Sequence, residues 1–110
     1  MKLRTIGLAL VLVCGGAVAV DKPAYFAAHY ACEGGLRIRV AYPVDPLAGH
    51  PITLRYEGQR VTMRHTLSAS GARYENRAKK LEWFIKGNEG MLIDGANDRT
   101  VQCRTSPSPQ

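Results

Sequence analysis

The chain has 110 residues and a formal net charge of +6, with 45% hydrophobic and 22% charged residues. This length fits one small domain, and the composition excludes wholesale disorder. No apolar run reaches the roughly 18 residues that a membrane-spanning helix needs.

The first 19 residues have the pattern of a secretory signal peptide. Lys2 and Arg4 form a basic head, residues 5–13 are almost entirely apolar, and Ala17-Val18-Ala19 provides a small-x-small cleavage site. The alternative is a buried N-terminal helix or strand, and glycines at 7, 15 and 16 disfavour the helix. Cleavage after Ala19 removes two of the 15 basic residues and none of the nine acids, which leaves a net charge of +4. We therefore expect export to the periplasm.

Cys14 leaves two outcomes open. The segment Val-Leu-Val-Cys-Gly at 11–15 is a degenerate form of the box at which bacterial lipoproteins are cleaved and acylated, with Val13 where a small residue is usual. The chain is either cleaved after Ala19 and soluble, or lipidated on Cys14 and anchored to the membrane. Both outcomes remove the odd cysteine from the folded domain.

The other two cysteines, Cys32 and Cys103, lie near the two ends of the predicted domain. In an oxidising compartment they can pair. Closing a loop of about 70 residues stabilises a protein by roughly 4 kcal/mol in the loop-entropy model, comparable to the net stability of a small domain. Neither cysteine has a His or a second Cys at ligand spacing, so no metal site is expected.

Alternation of apolar and polar residues predicts strands along most of the chain. The predicted strands are Tyr25–Cys32, 36–42, 52–57, 61–67, 81–86, 91–93 and 100–104, with turns at 33–35 and 87–90 and a basic loop at 76–80. Turn signals every 8–12 residues, roughly, are typical of a small antiparallel barrel or sandwich. We expect residues 20–29 to lead into the domain, residues 30–104 to form it and residues 105–110 to be a disordered tail.

Catalytic chemistry has little support in the sequence. His29 and His50 fall on separate segments, and His65 lies on the apolar side of its strand, which predicts a core histidine. No motif pairs two carboxylates, no glycine-rich loop precedes a helix, and no nucleophile elbow surrounds Ser68 or Ser70. We expect no enzymatic activity, no cofactor and no metal ion.

The basic residues allow two interpretations, an oligonucleotide-binding barrel or a solvated outer face. Outward strand positions are predicted for Arg37, Arg39, Arg55 and Arg64, and a loop cluster for Arg73, Arg77, Lys79 and Lys80. Export favours the solvated face, so no nucleic-acid partner is expected.

Several short motifs occur together in a fixed order. Tyr-Ala-Cys-Glu-Gly-Gly at 30–35 and Arg-Val-Ala-Tyr at 39–42 precede Ser-Ala-Ser-Gly-Ala-Arg-Tyr-Glu at 68–75, Trp-Phe-Ile-Lys-Gly at 83–87 and the terminal Cys103. With the signal peptide, these motifs resemble the MliC/PliC family of bacterial inhibitors of c-type lysozyme. The resemblance covers about residues 30 to 103.

The resemblance implies a small antiparallel β-barrel of about eight strands, with one disulfide tying the first strand to the C-terminal end. It also implies a periplasmic or lipid-anchored protein that inserts a loop into the active-site cleft of a c-type lysozyme. The family's functional serine falls on Ser70, followed by Gly71 and Tyr74, and its functional lysine falls on Lys86, followed by Gly87.

These residue types suit the active site of a retaining glycosidase, which has two carboxyl groups about 5–5.5 Å apart. Lys86 offers an ammonium to an ionised carboxylate, and Ser70 either donates or accepts. Gly71 permits a tight turn, and the Tyr74 ring is expected to pack beneath the loop. The assignment requires the barrel to bring both loops to one rim.

Two positions depart from the family pattern around Lys86. Ile85 stands where a small hydroxyl residue is common, and Gly90 where an alanine often occurs.

Two other functions remain open, an envelope glycan-binding module that uses Tyr and Trp faces and a lipid-anchored structural protein. We expect a monomer or a weak dimer.

Overall fold

The computed structural model describes residues 24–45, 49–68 and 70–107, which form a closed antiparallel barrel of eight strands. The strands are β1 (Tyr25–Cys32), β2 (Arg37–Pro43), β3 (Ile52–Tyr56), β4 (Gln59–Thr66), β5 (Ala72–Asn76), β6 (Leu81–Lys86), β7 (Glu89–Asp94) and β8 (Arg99–Ser106), with a 3-10 turn at Glu33–Gly35. The predicted all-β barrel is therefore confirmed. The predicted signal peptide and Cys14 lie outside the described residues.

Each strand pairs with its neighbours in sequence, and β8 closes the barrel against β1. Because successive side chains of a strand point to opposite faces, alternate residues fill the interior. The barrel is packed around Val40, Ile52, Leu54, Met63 and Trp83, each with 0% of its surface exposed. No helix among the described residues has the length and apolar character needed to cross a bilayer.

One strand and the position of one arginine differ from the prediction. Residues 72–76 form β5, and Arg73 lies in it rather than in a loop with Arg77, Lys79 and Lys80. Its guanidinium lies 2.8 Å from the carboxylate of Glu82 and 5.3 Å from the centre of the Phe84 ring, both on β6. Tyr74 is the one large apolar residue of β5, so the alternation that reveals a strand is weak there. Strand β8 extends to Ser106, two residues beyond its predicted end.

The predicted disulfide joins Cys32 of β1 to Cys103 of β8, which are directly opposite each other in the register. The bond therefore lies on the seam where the first and last strands meet. The sequence separation of 71 residues is consistent with an entropic stabilisation of about 4 kcal/mol.

The two ends of the barrel differ. One end, which we call the mouth, carries the start of β1, the β2–β3 connection, the β4–β5 loop and the β6–β7 turn. The opposite end, the base, is closed by Arg99, which contacts Glu57 at 2.8 Å and the buried Asp94 at 3.3 Å. Burial alone would raise the pKa of Asp94, but hydrogen bonds from Asn97 and Arg99 outweigh it and hold the pKa below its usual value.

Candidate functional site: the barrel mouth

The two loops singled out in the sequence meet at the mouth. Strand β5 pairs with β6 so that Ala72 lies opposite Ile85, which brings Gly71 beside the end of β6. A Cβ atom added at Gly71 would lie 2.3 Å from the carbonyl oxygen of Ile85 and 3.4 Å from Cβ of Lys86. Gly71 also has φ of +69°, a conformation that side-chain-bearing residues rarely adopt. Glycine is therefore what allows the β4–β5 loop to lie directly against the Lys86-Gly87 turn.

Ser70 is exposed on this loop. The hydroxyl of Ser68 donates a 2.7 Å hydrogen bond to the carbonyl oxygen of Ser70, which helps to fix the loop backbone. The hydroxyl of Ser70 itself has no hydrogen-bond partner among the residues that the structure describes. It is thus available to a molecule that approaches the mouth.

Lys86 is exposed at the end of β6, opposite Glu89 in the register of the hairpin. The carboxylate of Glu89 lies 3.4 Å from the guanidinium of Arg104 on β8. Across residues 24–45, 49–68 and 70–107, no acidic side chain forms an ion pair with Lys86. The turn that follows is held to β8 by a 2.9 Å hydrogen bond from the Thr105 amide to the Asn88 carbonyl. Lys86 therefore presents, on an anchored turn, a positive charge that no described acidic residue neutralises.

Tyr74 lies beneath this rim, with only 8% of its surface exposed. Its ring centre is 5.3 Å from that of His65, in an edge-on arrangement, and 6.2 Å from that of Tyr42. Burial raises the pKa of Tyr74. The side chain is thus buried under the rim and is not part of its exposed surface.

The prediction that His65 is a core histidine is wrong. The residue follows the inward alternation of β4, but its side chain is exposed. The reason is its position near the end of β4, where the interior opens at the mouth instead of meeting a packed layer.

A cavity of about 480 Å³ opens beneath the rim. Its wall is mainly apolar and aromatic, and includes Phe26, Tyr30, Tyr42, Val44, His50, His65, Ala72, Tyr74, Ile85 and Gly87. The rim therefore surrounds a hollow, and a partner that covers the mouth meets hydrogen-bonding groups at the edge and rings within.

A hydrogen-bonded chain lies deep in this cavity. The indole nitrogen of Trp83 donates to the Tyr42 hydroxyl at 2.8 Å, and the Tyr42 and Tyr30 hydroxyls are also 2.8 Å apart. Burial raises the pKa of Tyr42 far above that of an ordinary phenol, so its hydroxyl stays protonated. These two hydrogen bonds satisfy polar groups that would otherwise be buried without partners.

Sequence reasoning did not identify Phe26 and His50 as part of this site. His50 lies in the connection between β2 and β3, where no alternation applies, and Phe26 lies near the start of β1. The order of the strands could have identified both residues. In a barrel of sequential antiparallel strands, the start of β1 and the connection before β3 lie at the same end.

Both departures from the family pattern are interior packing positions. Ile85 is half-buried and lines the cavity. Gly90 is buried, and a Cβ atom added to it would lie 2.5 Å from the Trp83 ring. Glycine at this position therefore makes room for the indole, and neither change removes a group from the exposed rim.

Stacking surfaces for a glycan are scarce. Trp83 is fully buried, and the exposed aromatic side chains of the described residues are Tyr25, at 40%, and Phe26, at 52%. As successive residues of β1, these two point to opposite faces of the strand and do not form one surface. Among the described residues, no group of three or more His, Cys, Asp or Glu side chains is arranged to hold a metal ion. Neither a broad aromatic platform nor a metal centre is thus present in this part of the chain.

Comparison with known proteins defines the class of this small, disulfide-closed barrel. A family model described as "Membrane-bound lysozyme-inhibitor of c-type lysozyme" matches residues 30–100, and the chain belongs to this family of inhibitor proteins. It is 35% identical to the membrane-bound lysozyme inhibitor of C-type lysozyme from Cupriavidus necator, over 96% of this chain and 88% of the relative.

The fold is also shared with a solved structure, Pseudomonas aeruginosa MliC in complex with hen egg white lysozyme. The TM-score is 0.55 at 21% sequence identity, and the match covers 89% of this chain and 100% of the solved one.

Proposed function

We propose that this protein inhibits c-type lysozyme by covering the active-site cleft with the barrel mouth. The Ser70-Gly71 loop and the Lys86-Gly87 turn would enter the cleft together. The observation that carries the proposal is that the Ser70 hydroxyl and the Lys86 ammonium are both exposed on the same rim. Neither has a hydrogen-bond or ion-pair partner among the side chains that the structure describes.

The chemistry of the target supports this assignment. In a retaining glycosidase one carboxyl group is protonated and the other ionised, about 5–5.5 Å apart. Lys86 would donate a charge-assisted hydrogen bond to the ionised group, and the Ser70 hydroxyl suits either state. Because Lys86 forms no ion pair with any residue that the structure describes, binding would not require such an ion pair to be broken.

Preorganisation of the rim also supports the proposal. The loop is tied by the Ser68 hydrogen bond and is packed on the end of β6 through Gly71. A loop that is already ordered loses less conformational entropy when it binds. The neighbour of known structure was solved with hen egg white lysozyme, which favours a c-type lysozyme as partner. The protein would act by occupying the cleft, without catalysis of its own.

We further propose that the protein acts in the cell envelope after export. The pattern of residues 1–19 supports export, and the Cys32–Cys103 disulfide suits an oxidising compartment. Mass spectrometry of the protein purified from its host separates the two forms. A free N-terminus at Val20 indicates a soluble inhibitor, and a lipid on Cys14 indicates an anchored one.

The test is inhibition of lysis. The oxidised protein is titrated against a c-type lysozyme acting on a sensitive cell wall, alongside Ser70→Ala, Lys86→Ala and the control Lys79→Ala. Lys79 is also an exposed lysine in a turn, but it lies at the base of the barrel. We expect inhibition to weaken at least tenfold for the two mouth variants and to persist in the control. Equal inhibition by all four folded proteins would refute the assignment of the site.

A further inference from the structure

Three arginines form a row across the outer wall of the barrel. Arg39 of β2 lies opposite Arg55 of β3, and Arg55 lies opposite Arg60 of β4. All three are exposed. Since adjacent strands are about 4.8 Å apart, their Cα atoms span about 10 Å. We call this row the arginine ladder.

No acidic side chain in the described part of the chain forms an ion pair with the ladder. The acidic side chains that form ion pairs in the described ranges do so with other arginines: Glu82 with Arg73, Glu75 with Arg77, Glu57 and Asp94 with Arg99, and Glu89 with Arg104. Like charges directly opposite each other on neighbouring strands destabilise a sheet. The folded barrel thus maintains a repulsive arrangement that an anion would relieve.

The ladder borders a surface depression of about 330 Å³. Small side chains, those of Ala27, Ala41 and Thr53, complete its lining. None of the lining residues is acidic. The site therefore combines three arginines that line one depression with space for a group of a few heavy atoms. Planar guanidinium groups match the oxygens of a phosphate ester.

We propose that the arginine ladder binds the phosphate-ester headgroups of an anionic membrane surface. Binding of single-stranded nucleic acid combines basic residues with aromatic side chains on which bases stack, and no aromatic residue lines this depression. The three charges are spread over about 10 Å of an open outer wall. This arrangement suits a membrane surface, which presents many phosphate groups in one plane, better than a single soluble phosphate. Arg55 and Arg60 flank the β3–β4 turn at the base, so this contact leaves the mouth uncovered.

The test is co-sedimentation of the full chain with vesicles of phosphatidylcholine, with and without phosphatidylglycerol. Subtracting the binding to phosphatidylcholine alone removes the apolar contribution of the N-terminal segment. The contribution of its basic residues, Lys2 and Arg4, is the same in the wild type and both variants and cancels in their comparison. The variant R39Q/R55Q/R60Q is compared with R64Q/R77Q/K79Q, which loses the same charge from other exposed positions. Each basic residue at an anionic surface contributes about 1 kcal/mol, so we expect roughly 100-fold weaker binding for the ladder variant and less than tenfold for the control.

Equal losses in the two variants would overturn the proposal, because net charge alone would then explain the binding. Tighter binding of the wild type to a single-stranded oligonucleotide than to the vesicles would also overturn it. Saturation of the ladder by soluble glycerol phosphate, with no preference for phosphatidylglycerol, would make a free phosphate the ligand instead. Thermal unfolding controls for folding, and relief of the arginine repulsion predicts that the ladder variant is at least as stable as the wild type.

Discussion

Gly71→Ala tests whether the close packing of the two mouth loops matters for inhibition. The new Cβ atom would lie 2.3 Å from a backbone oxygen, more than 1 Å short of ordinary contact at 3.4 Å, so the loop must move away from β6. The left-handed conformation adds about 1–2 kcal/mol for a residue with a side chain. We expect the free energy of unfolding to fall by about 2–4 kcal/mol. Because the displaced backbone carries Ser70, we also expect inhibition to weaken at least tenfold.

Gly58→Ala is the matched control. Its φ of +75° is similar, but nothing lies within 4 Å of the added Cβ atom, and Gly58 is in a turn at the base. This variant should lose only about 1–2 kcal/mol and inhibit lysozyme like the wild type. Denaturant unfolding measures the stability, and the lysis assay measures inhibition. The reasoning fails if folded Gly71→Ala inhibits as well as Gly58→Ala, because the contact with β6 would then have no part in shaping the site.

Three further predictions concern stability. Gly90→Ala should lower the unfolding free energy by about 1–3 kcal/mol in denaturant titrations, since its Cβ atom would overlap the buried Trp83 ring; unchanged stability would show that the indole can shift freely. Replacing Cys32 and Cys103 by serine should remove about 4 kcal/mol, measured as a lower unfolding midpoint against the oxidised protein; equal midpoints would contradict the role of the seam. The pKa of Asp94 is lower in the folded state than in the unfolded state. Its contribution to the free energy of unfolding is therefore fully present above the unfolded-state pKa and is lost as the pH falls through the folded-state pKa. Stability should therefore drop below about pH 4 more steeply in the wild type than in Asp94→Asn, and parallel pH profiles would argue against it.

Strands with several large apolar residues were predictable from the sequence. The alternation in β2, β3, β4 and β6 reports the inward faces directly, because each of these strands carries at least two buried aliphatic or aromatic side chains at alternate positions. Strand β5 was hidden because Ala72 and Asn76 contribute little hydrophobic signal around Tyr74. His65 shows the complementary limit, since alternation identifies the inward direction but not the level at which the interior opens to solvent.

The candidate site was partly predictable, through short motifs around Ser70 and Lys86. Their proximity was not, because it depends on the register between β5 and β6, which a sequence pattern does not specify. The cavity beneath them was also hidden, since its wall combines rings from β1, β2, β4 and β5 with His50 from a connection. The arginine ladder required the same information, because only the registers of β2, β3 and β4 place its members opposite one another.

The seam between β1 and β8 has a consequence for biosynthesis. Every other strand pair joins neighbours in sequence and can form as a local hairpin, whereas β1 must remain unpaired on one edge until β8 has been synthesised. Until then β1 and the strand most recently added expose open edges that can recruit other chains. The barrel therefore completes its fold only after nearly the whole chain is available, and the disulfide then secures the step that was reached last.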